Sequence, residues 1–317
     1  MRGIQRGALL VLCAALAACG GGAKSSGAGG SGGSTSGATG GGSTSGGSSG
    51  GWSGTGLIQV GGPTATVLIV DDDDSANNSG SAPTPSPSDL FFANAATGSK
   101  LVYNRYVVPS GAADVPAASD LAPYSTILWY NGPTYGPGAL TMSPAQEKTL
   151  EGWLDQGGKT LLVYSEDLVY DLTVGIYRWA GPEQDSFLAQ YVGAVGDDYD
   201  VASDANGTLA HASYVATGAA GGPLAGMTFD VVKDTPIPST ADVINPKAGV
   251  DTLATVVADP DGTTDRPLPV ATGNKAAGAK SSSTVVYVGM PVEDVAAAVG
   301  GNSGADFFAG VLAYAGL

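Results

Sequence analysis

The sequence has few cysteines, histidines and basic residues, and each shortage excludes a class of function. Its 317 residues include 2 Cys and 1 His, and both cysteines, Cys13 and Cys19, fall within the first twenty positions. A disulfide framework or a Cys/His zinc site therefore cannot form in the body of the chain. Only 13 Lys and Arg stand against 29 Asp and Glu, giving a formal net charge of -16 at pH 7. Because nucleic-acid binding draws on clustered basic side chains, the composition argues against a nucleic-acid partner.

The first nineteen residues have the pattern of an export signal. Arg2 and Arg6 give a positively charged start, and the apolar run that follows is too short to cross a membrane as a helix. The run ends in Leu-Ala-Ala-Cys-Gly at 16–20, which resembles the lipobox of bacterial lipoproteins. The resemblance implies that residues 1–18 are cleaved and that Cys19 carries acyl chains that anchor the protein in a membrane. An ordinary signal with an incidental cysteine, or a buried apolar helix, is the alternative.

A Gly- and Ser-rich stretch follows the cysteine, with Lys24 as its single charge up to Gly56. Such a segment buries too little apolar surface to offset the entropy of ordering, so we expect a flexible linker over 19–56. Some Gram-negative lipoproteins carry a retaining Asp after the cysteine, where this chain has Gly20. By that resemblance the anchor lies in the outer membrane, and the folded domain comprises residues 57–317.

The folded region predicts an α/β domain. Near-continuous apolar, β-branched runs are typical of strands buried on both faces. Ser143 and Gln146 form a capping-box pattern that starts a helix, and Gly157-Gly158 ends it. Strand, crossover and strand in this order predict a doubly wound, mostly parallel sheet. The predicted strands lie at 64–70, 101–108, 125–130, 159–164 and 284–290.

The C-terminal half is less regular. Residues 193–250 show no long period of either kind, so we expect an insertion of short strands and loops. The runs 252–258 and 267–271 flank an Asp-Pro-Asp-Gly turn, which predicts a hairpin. A last buried strand then precedes a helix around Ala305 to Ala315.

Several short motifs resemble the flavodoxin-like domain of the class I glutamine-amidotransferase superfamily. They are a strand ending in an Asp cluster, a strand ending in Tyr-Asn-Gly at 130–132, the capped helix, and a closing Val-Val-Tyr-Val-Gly-Met strand at 285–290. The resemblance covers roughly 64–317 and implies a fold rather than an activity.

The catalytic pattern of that superfamily is missing. Active members place a cysteine on the turn after a central strand, where this chain has Ser165, Glu166 and Asp167. Ser165 lacks the flanking glycines of a nucleophile elbow, so we interpret it as a helix cap with the two acids in the first turn. His211, the single histidine, lies in the irregular insertion and is interpreted as a loop or strand residue rather than a general base.

The run Asp71, Asp72, Asp73 and Asp74 is the most site-like feature of the sequence. Carboxylates at the carboxyl end of a parallel strand lie where α/β folds bind ligands, and Ca²⁺ or Mg²⁺ would relieve their mutual repulsion. A solvated loop whose Asp side chains cap neighbouring amides is the favoured interpretation, with divalent binding and catalysis as alternatives. Asn131 stands where a phosphoacceptor receiver domain needs an Asp. Two further acidic groups, at 197–204 and 259–265, are interpreted as loops.

Two functions from different classes remain. The favoured one is a membrane-anchored, non-catalytic lipoprotein that binds, scaffolds or presents an envelope protein or glycan. Aromatics expected to be exposed at the sheet edge would contact that partner: Tyr130, Tyr135, Tyr164 and Tyr170. The rival is a divalent-metal-dependent hydrolase that uses Asp71 to Asp74, with Glu166 or Asp167 as a ligand or base.

Overall fold

The computed structural model describes residues 55–73, 85–132, 141–172, 185–198, 213–232, 241–258, 266–296 and 301–317. Several sequence predictions lie outside these ranges: the signal, Cys19, the linker, Asp74, Tyr135 and His211.

The described residues form thirteen strands and five α-helices. The strands are β1 (Gly56–Ile58), β2 (Val67–Asp71), β3 (Tyr103–Val107), β4 (Thr126–Tyr130), β5 (Thr160–Tyr164), β6 (Ala194–Asp198), β7 (Ser213–Gly218), β8 (Thr228–Val232), β9 (Val243–Pro246), β10 (Asp251–Ala258), β11 (Arg266–Ala277), β12 (Ser283–Val288) and β13 (Val295–Ala296). The helices are α1 (Pro87–Gly98), α2 (Ala118–Leu121), α3 (Pro144–Leu154), α4 (Leu168–Tyr170) and α5 (Gly304–Ala315), with a π-helical segment at Phe187–Val192 and 3₁₀ turns at Gly62–Thr64 and Val292–Asp294.

Eleven strands form one sheet in the order β1-β3-β2-β4-β5-β12-β11-β10-β7-β8-β13, and β6 and β9 form a second, two-stranded sheet. The block β3-β2-β4-β5-β12 is parallel throughout. Numbered along the chain, these five strands have the order 2-1-3-4-5, which is the flavodoxin-like order. The α/β prediction is confirmed, including all five predicted strands of the block.

The prediction of a mostly parallel sheet is wrong in its extent. β1 joins one edge in antiparallel orientation, and β11, β10, β7, β8 and β13 extend the other edge in antiparallel pairs. The expected hairpin is present as β10 and β11. Part of the expected insertion, β7 and β8, belongs to the main sheet. Buried residues of β8 alternate with more exposed ones, as is typical of a strand, and β8 pairs in register with β7.

Helices cover both faces of the parallel block, which explains why its strands β2, β4 and β5 are apolar at nearly every position. Alternate residues of β4 point to opposite sides. Ile127 and Trp129 pack in the core under α2, α3 and the π-helical segment. Leu128 and Tyr130 pack in the core under α1 and α5.

Capping boxes start the principal helices. In α3 the Ser143 hydroxyl accepts from the Gln146 N–H and the Gln146 side chain accepts from the Ser143 N–H, as predicted. In α1 the same arrangement joins Ser86 and Asp89, with Pro87 at the first helical position. The sequence analysis did not predict α1. No helix among the described residues has the length and apolar character that a membrane span requires.

Candidate functional site

The site lies at the carboxyl ends of β2 and β4. These neighbouring strands connect in opposite directions, since β2 leads to β3 on one side and β4 leads to β5 on the other. Doubly wound sheets bind ligands at this switch point, outside the strand ends. Asp71 is the last residue of β2, and Tyr130 pairs with it as the last residue of β4.

A buried ion-pair network occupies this position. The Arg105 guanidinium, from the neighbouring strand β3, donates through Nη2 to the Asp71 carboxylate and to Asp89 Oδ1, the latter at 2.6 Å. The Tyr130 hydroxyl donates to the same Asp89 oxygen at 2.5 Å. Asp71 and Asp89 are at most 1% exposed and Arg105 is 6% exposed. We call these four residues the Arg105 network.

Burial and crowding of acids shift the ionisation of the network. Desolvation, reinforced by the charges of Asp73 and Asp89, raises the pKa of Asp71 to about 9, and the Arg105 guanidinium offsets only part of this. Burial and the same carboxylates raise the pKa of Tyr130 well above its ordinary value. One guanidinium among three close carboxylates therefore favours a network that retains a proton at neutral pH.

The predicted Asp run is divided between the two sides of the sheet edge. Asp73 is buried on the side of α1, where its carboxylate accepts from the Ser86 hydroxyl. Asp72 is half-buried on the side of α3, where its Oδ2 accepts from Gln146 Nε2 at 3.2 Å. Asp74 is outside the described residues. The prediction of four carboxylates in one solvated loop is thus wrong for Asp71 and Asp73.

The weaker candidates lie along the same edge. Asn131 is fully buried, and its Nδ2 donates to the Thr141 carbonyl and, at 3.5 Å, to Asp72 Oδ2. Asn131 therefore ties the end of β4 to the segment before α3.

Ser165, Glu166 and Asp167 follow β5 and are all buried. The prediction that Ser165 caps a helix is wrong, because α4 begins at Leu168 and Asp167 holds the cap position without a side-chain capping hydrogen bond. The Ser165 backbone instead continues the β-sheet pairing, since its N–H donates to the Val288 carbonyl of β12.

The expected exposed aromatics are also corrected. Tyr130 is 1% exposed and Tyr164 is 4% exposed, so neither forms a surface platform. Both pack against Phe92 of α1, with ring centroids 4.5 and 4.9 Å apart. Their position on the core face under α1 explains their burial. Tyr170 lies in α4, and Tyr135 is outside the described residues.

A small cavity adjoins the Arg105 network at the ends of β5 and β12. Its volume is about 10 Å³, which is the size of one water molecule or one monatomic ion. Among its lining residues are Tyr164, Ser165, Glu166 and Glu293. Ser88 of α1 donates its hydroxyl to the Glu293 carboxylate. The chemistry available here is that of hard oxygen donors rather than of a nucleophile with a base.

Carboxylate oxygens of Asp71, Asp73 and Asp89 lie within 4.8 Å of one another, which is close enough to share a cation. The Arg105 guanidinium already contacts two of them. The positive charge that sequence reasoning assigned to Ca²⁺ or Mg²⁺ is therefore supplied in part by the chain itself.

Three residues of this region were missed from the sequence: Asp89, Arg105 and Glu293. Asp89 had a usable signal, because Ser-Pro-Ser-Asp at 86–89 has a capping-box pattern with proline at the first helical position. Arg105 lies at the centre of the Tyr-Asn-Arg-Tyr-Val strand β3, where an arginine indicates a buried acidic partner but does not identify it. Glu293 and Ser88 are 205 residues apart in the sequence, so no local pattern indicates their contact.

No protein-family model matches the chain, and no curated protein matches it. Among solved structures, the chain is similar to a putative ThuA-like protein from Bacteroides uniformis ATCC 8492, at 9% sequence identity and a TM-score of 0.44. That similarity covers 78% of this chain and 89% of the other. The assignment of the fold rests on the strand order and the two helix layers described above.

Proposed function

We propose that the protein is a lipid-anchored lipoprotein of the cell envelope, most consistent with the outer membrane, whose α/β domain binds or scaffolds an envelope protein or glycan without turnover. The anchor is proposed from the lipobox-like sequence around Cys19. The non-catalytic role is supported by the placement of Arg105, which is the single observation that carries it.

The argument concerns what lies at the switch point of the sheet. In folds of this order the carboxyl ends of the central strands are the usual ligand site. Here the Arg105 guanidinium spans Asp71 and Asp89, and the Tyr130 hydroxyl completes the network. Carboxylates that are buried and bound to an internal cation are poorly placed to activate water.

The same region supports the proposal that the domain is a divergent amidotransferase-like domain without its nucleophile. Ser165 follows β5, where active members have a cysteine. Its Oγ is buried and makes no hydrogen bond to any described residue. A serine nucleophile needs a base within hydrogen-bonding distance, so this hydroxyl is not activated by the residues described.

The rival proposal, a divalent-metal-dependent hydrolase, is favoured by one observation. The close approach of the Asp71, Asp73 and Asp89 oxygens fits a shared metal ion. For such a metal to act as a Lewis acid or to activate water, it would have to compete with Arg105 for the same oxygens.

The anchor is tested by expressing the full chain and its Cys19→Ser variant in a Gram-negative host and separating soluble, inner-membrane and outer-membrane fractions. We expect the wild type in the outer-membrane fraction, with acyl chains on Cys19 by mass spectrometry, and the variant in the soluble fraction. Wild-type protein that is clipped and soluble would contradict the anchor.

The non-catalytic role is tested separately, with the soluble Cys19→Ser chain and a broad hydrolase substrate panel in the presence of Mg²⁺ or Ca²⁺. We expect no turnover above buffer. Metal-dependent turnover that is lost in Asp73→Asn and retained in the control Glu151→Gln would instead establish the hydrolase.

A further inference from the structure

Another pocket lies between the antiparallel part of the sheet and the end of α5. Its volume is about 600 Å³, within the range of about 300–1,000 Å³ that is usual for small-molecule sites. The 219–223 turn between β7 and β8 lines it, together with the start of β10, Lys275 of β11 and the last residues of α5. None of these residues belongs to the candidate site at the ends of β2 and β4.

The turn that forms one wall of this pocket is held in place by the core. Leu224 follows the turn, is 1% exposed, and packs closely against Gly218 and Gly310. A Cβ at either glycine would lie at most 2.2 Å from an atom of Leu224. At the start of the turn, the Ala219 N–H donates to the Leu253 carbonyl of β10 at 2.8 Å. A pocket whose wall is fixed in this way loses little free energy to ordering when a ligand binds.

The Tyr314 ring is a buried polar part of the pocket and holds two opposite charges apart. The ring is 8% exposed and lies against Gly273 of β11, where a Cβ would have no room. Its hydroxyl lies 2.9 Å from both Asp251 Oδ2 and the Gly273 carbonyl, and it donates its one hydrogen to these acceptors. The Lys275 ammonium lies over the ring, 4.1 Å from its centroid. A carboxylate at the hydroxyl end and an ammonium over the face therefore share one aromatic ring.

Asp251 and Lys275 do not neutralise each other. Both ion pairs among the described residues are made by Arg105, so neither of these two side chains has an ion-pair partner there. Exposed charges without partners are common on protein surfaces, but these two line the same pocket and contact the same fixed ring. Separated opposite charges in one pocket match a ligand that carries both an ammonium and a carboxylate.

The other walls and the net charge of the chain narrow the class of ligand. Apart from Asp251 and Lys275, the lining consists of Ala, Gly, Pro, Val, Leu, Thr and Tyr, none of them a charged residue at neutral pH. The formal net charge of -16 disfavours a ligand with net negative charge. A zwitterion has no net charge to be repelled, and an apolar side chain on it would contact the apolar part of the wall.

We propose that this pocket binds a small apolar zwitterion, with its ammonium at Asp251 and its carboxylate at Lys275. A free apolar α-amino acid and a short apolar peptide share this chemistry. The site goes beyond the proposed envelope role, since it depends neither on the lipid anchor nor on the absence of turnover. Its failure would leave that proposal unchanged.

The test titrates L-leucine and L-alanyl-L-leucine into the soluble Cys19→Ser full chain by calorimetry. We expect saturable binding of at least one of them with a dissociation constant of about 0.1–1 mM, because exposed ion pairs contribute little free energy each. Binding of the amino acid or of the dipeptide distinguishes the two sources. N-acetyl-L-leucine lacks the ammonium and L-leucinamide lacks the carboxylate, so each should bind at least about tenfold more weakly than the zwitterion.

Variants assign the binding to this pocket. Lys275→Met keeps the length of the side chain without its charge, and it should weaken binding of the zwitterion about tenfold and remove the preference over L-leucinamide. Asp251→Asn keeps an acceptor for the Tyr314 hydroxyl and should remove the preference over N-acetyl-L-leucine. Lys280→Met, the same change in the turn before β12, should bind as the parent does. All three substituted side chains are exposed, and circular dichroism of each variant checks its fold.

Four outcomes would overturn the site. The first is no saturable binding of either zwitterion up to roughly 10 mM, ten times the weakest expected dissociation constant. The second is binding of both N-acetyl-L-leucine and L-leucinamide as tightly as the zwitterion. The third is parent-like binding by both Lys275→Met and Asp251→Asn. The fourth is binding of N-acetylglucosamine with the affinity of the zwitterion, which would assign the pocket to a neutral glycan instead.

Discussion

Replacing Asp71 by asparagine tests the electrostatics of the Arg105 network. The pKa of Asp71 is raised from 3.8 to about 9 because the carboxyl is buried beside Asp73 and Asp89. At pH 7 the network then retains a proton, and a protonated Asp has nearly the shape and hydrogen-bonding groups of Asn. We therefore expect Asp71→Asn to have a free energy of unfolding within about 1 kcal/mol of the wild type below pH 4, the net worth of one hydrogen bond. At pH 7 the variant should be more stable than the wild type, because the folded wild type holds a proton that the unfolded chain releases.

Arg105→Met is the contrasting variant. It leaves Asp71 and Asp89 buried without their cation, and removing one partner of a buried ion pair costs about 3–5 kcal/mol. Urea-induced unfolding followed by tryptophan fluorescence measures both variants, since Trp129 and Trp153 are at most 2% exposed in the native protein.

The pH dependence of the free energy of unfolding tests the sign of the contribution that Asp71 makes. A carboxyl with a raised pKa binds its proton more tightly in the folded than in the unfolded state, so its contribution is complete below about pH 4 and declines as pH rises towards 9. Asp71→Asn should remove that decline, so its stability relative to the wild type improves between pH 5 and pH 9. A loss at pH 7 as large as that of Arg105→Met, or a difference that does not vary with pH, would refute the reasoning.

Three further substitutions test the packing and capping described above. Ser143→Ala removes the α3 cap and should cost about 1 kcal/mol in urea unfolding, and an unchanged midpoint would contradict the capping box. Gly273→Ala places a Cβ within the Tyr314 ring and should lower the melting temperature by several degrees, whereas Gly222→Ala has room, with its nearest atom 3.7 Å away, and should not. Asp306→Asn should destabilise α5 at neutral pH and have no effect once pH falls well below 4, because hydrogen bonds from Ser303 lower the pKa of Asp306; a penalty that persists at pH 2 would count against this cause.

The parallel block could be predicted from the sequence because its signal is local. β4 and β5 are apolar at nearly every position, as strands buried on both faces must be, and the capping box at Ser143 places the helix between them. The antiparallel extension was underestimated because its signal is not local. β7 and β8 are short, and their pairing with β10 and β13 depends on partners far along the chain.

The Asp run lies at the end of β2, as its sequence position predicts, but the surroundings of its side chains could not be predicted. The sequence shows four adjacent aspartates, whereas the structure buries two of them and exposes part of a third. The surroundings of Asp71 are determined by the guanidinium of Arg105 and the carboxyl of Asp89, which come from β3 and α1. Strand alternation predicts that Asp71 and Asp73 share a side of the chain, but it does not indicate which side chain faces them.

The pairing of β5 with β12 has a consequence for how the domain assembles. Thr160 of β5 pairs with Thr284 of β12, and β6 to β11 lie between them in the sequence. Until β12 arrives, β2 to β5 form a half-built sheet whose β5 edge has open amide and carbonyl groups beside apolar side chains. Such an edge readily pairs with strands from other molecules, so the incomplete chain is prone to aggregation until β12 has been synthesised and paired.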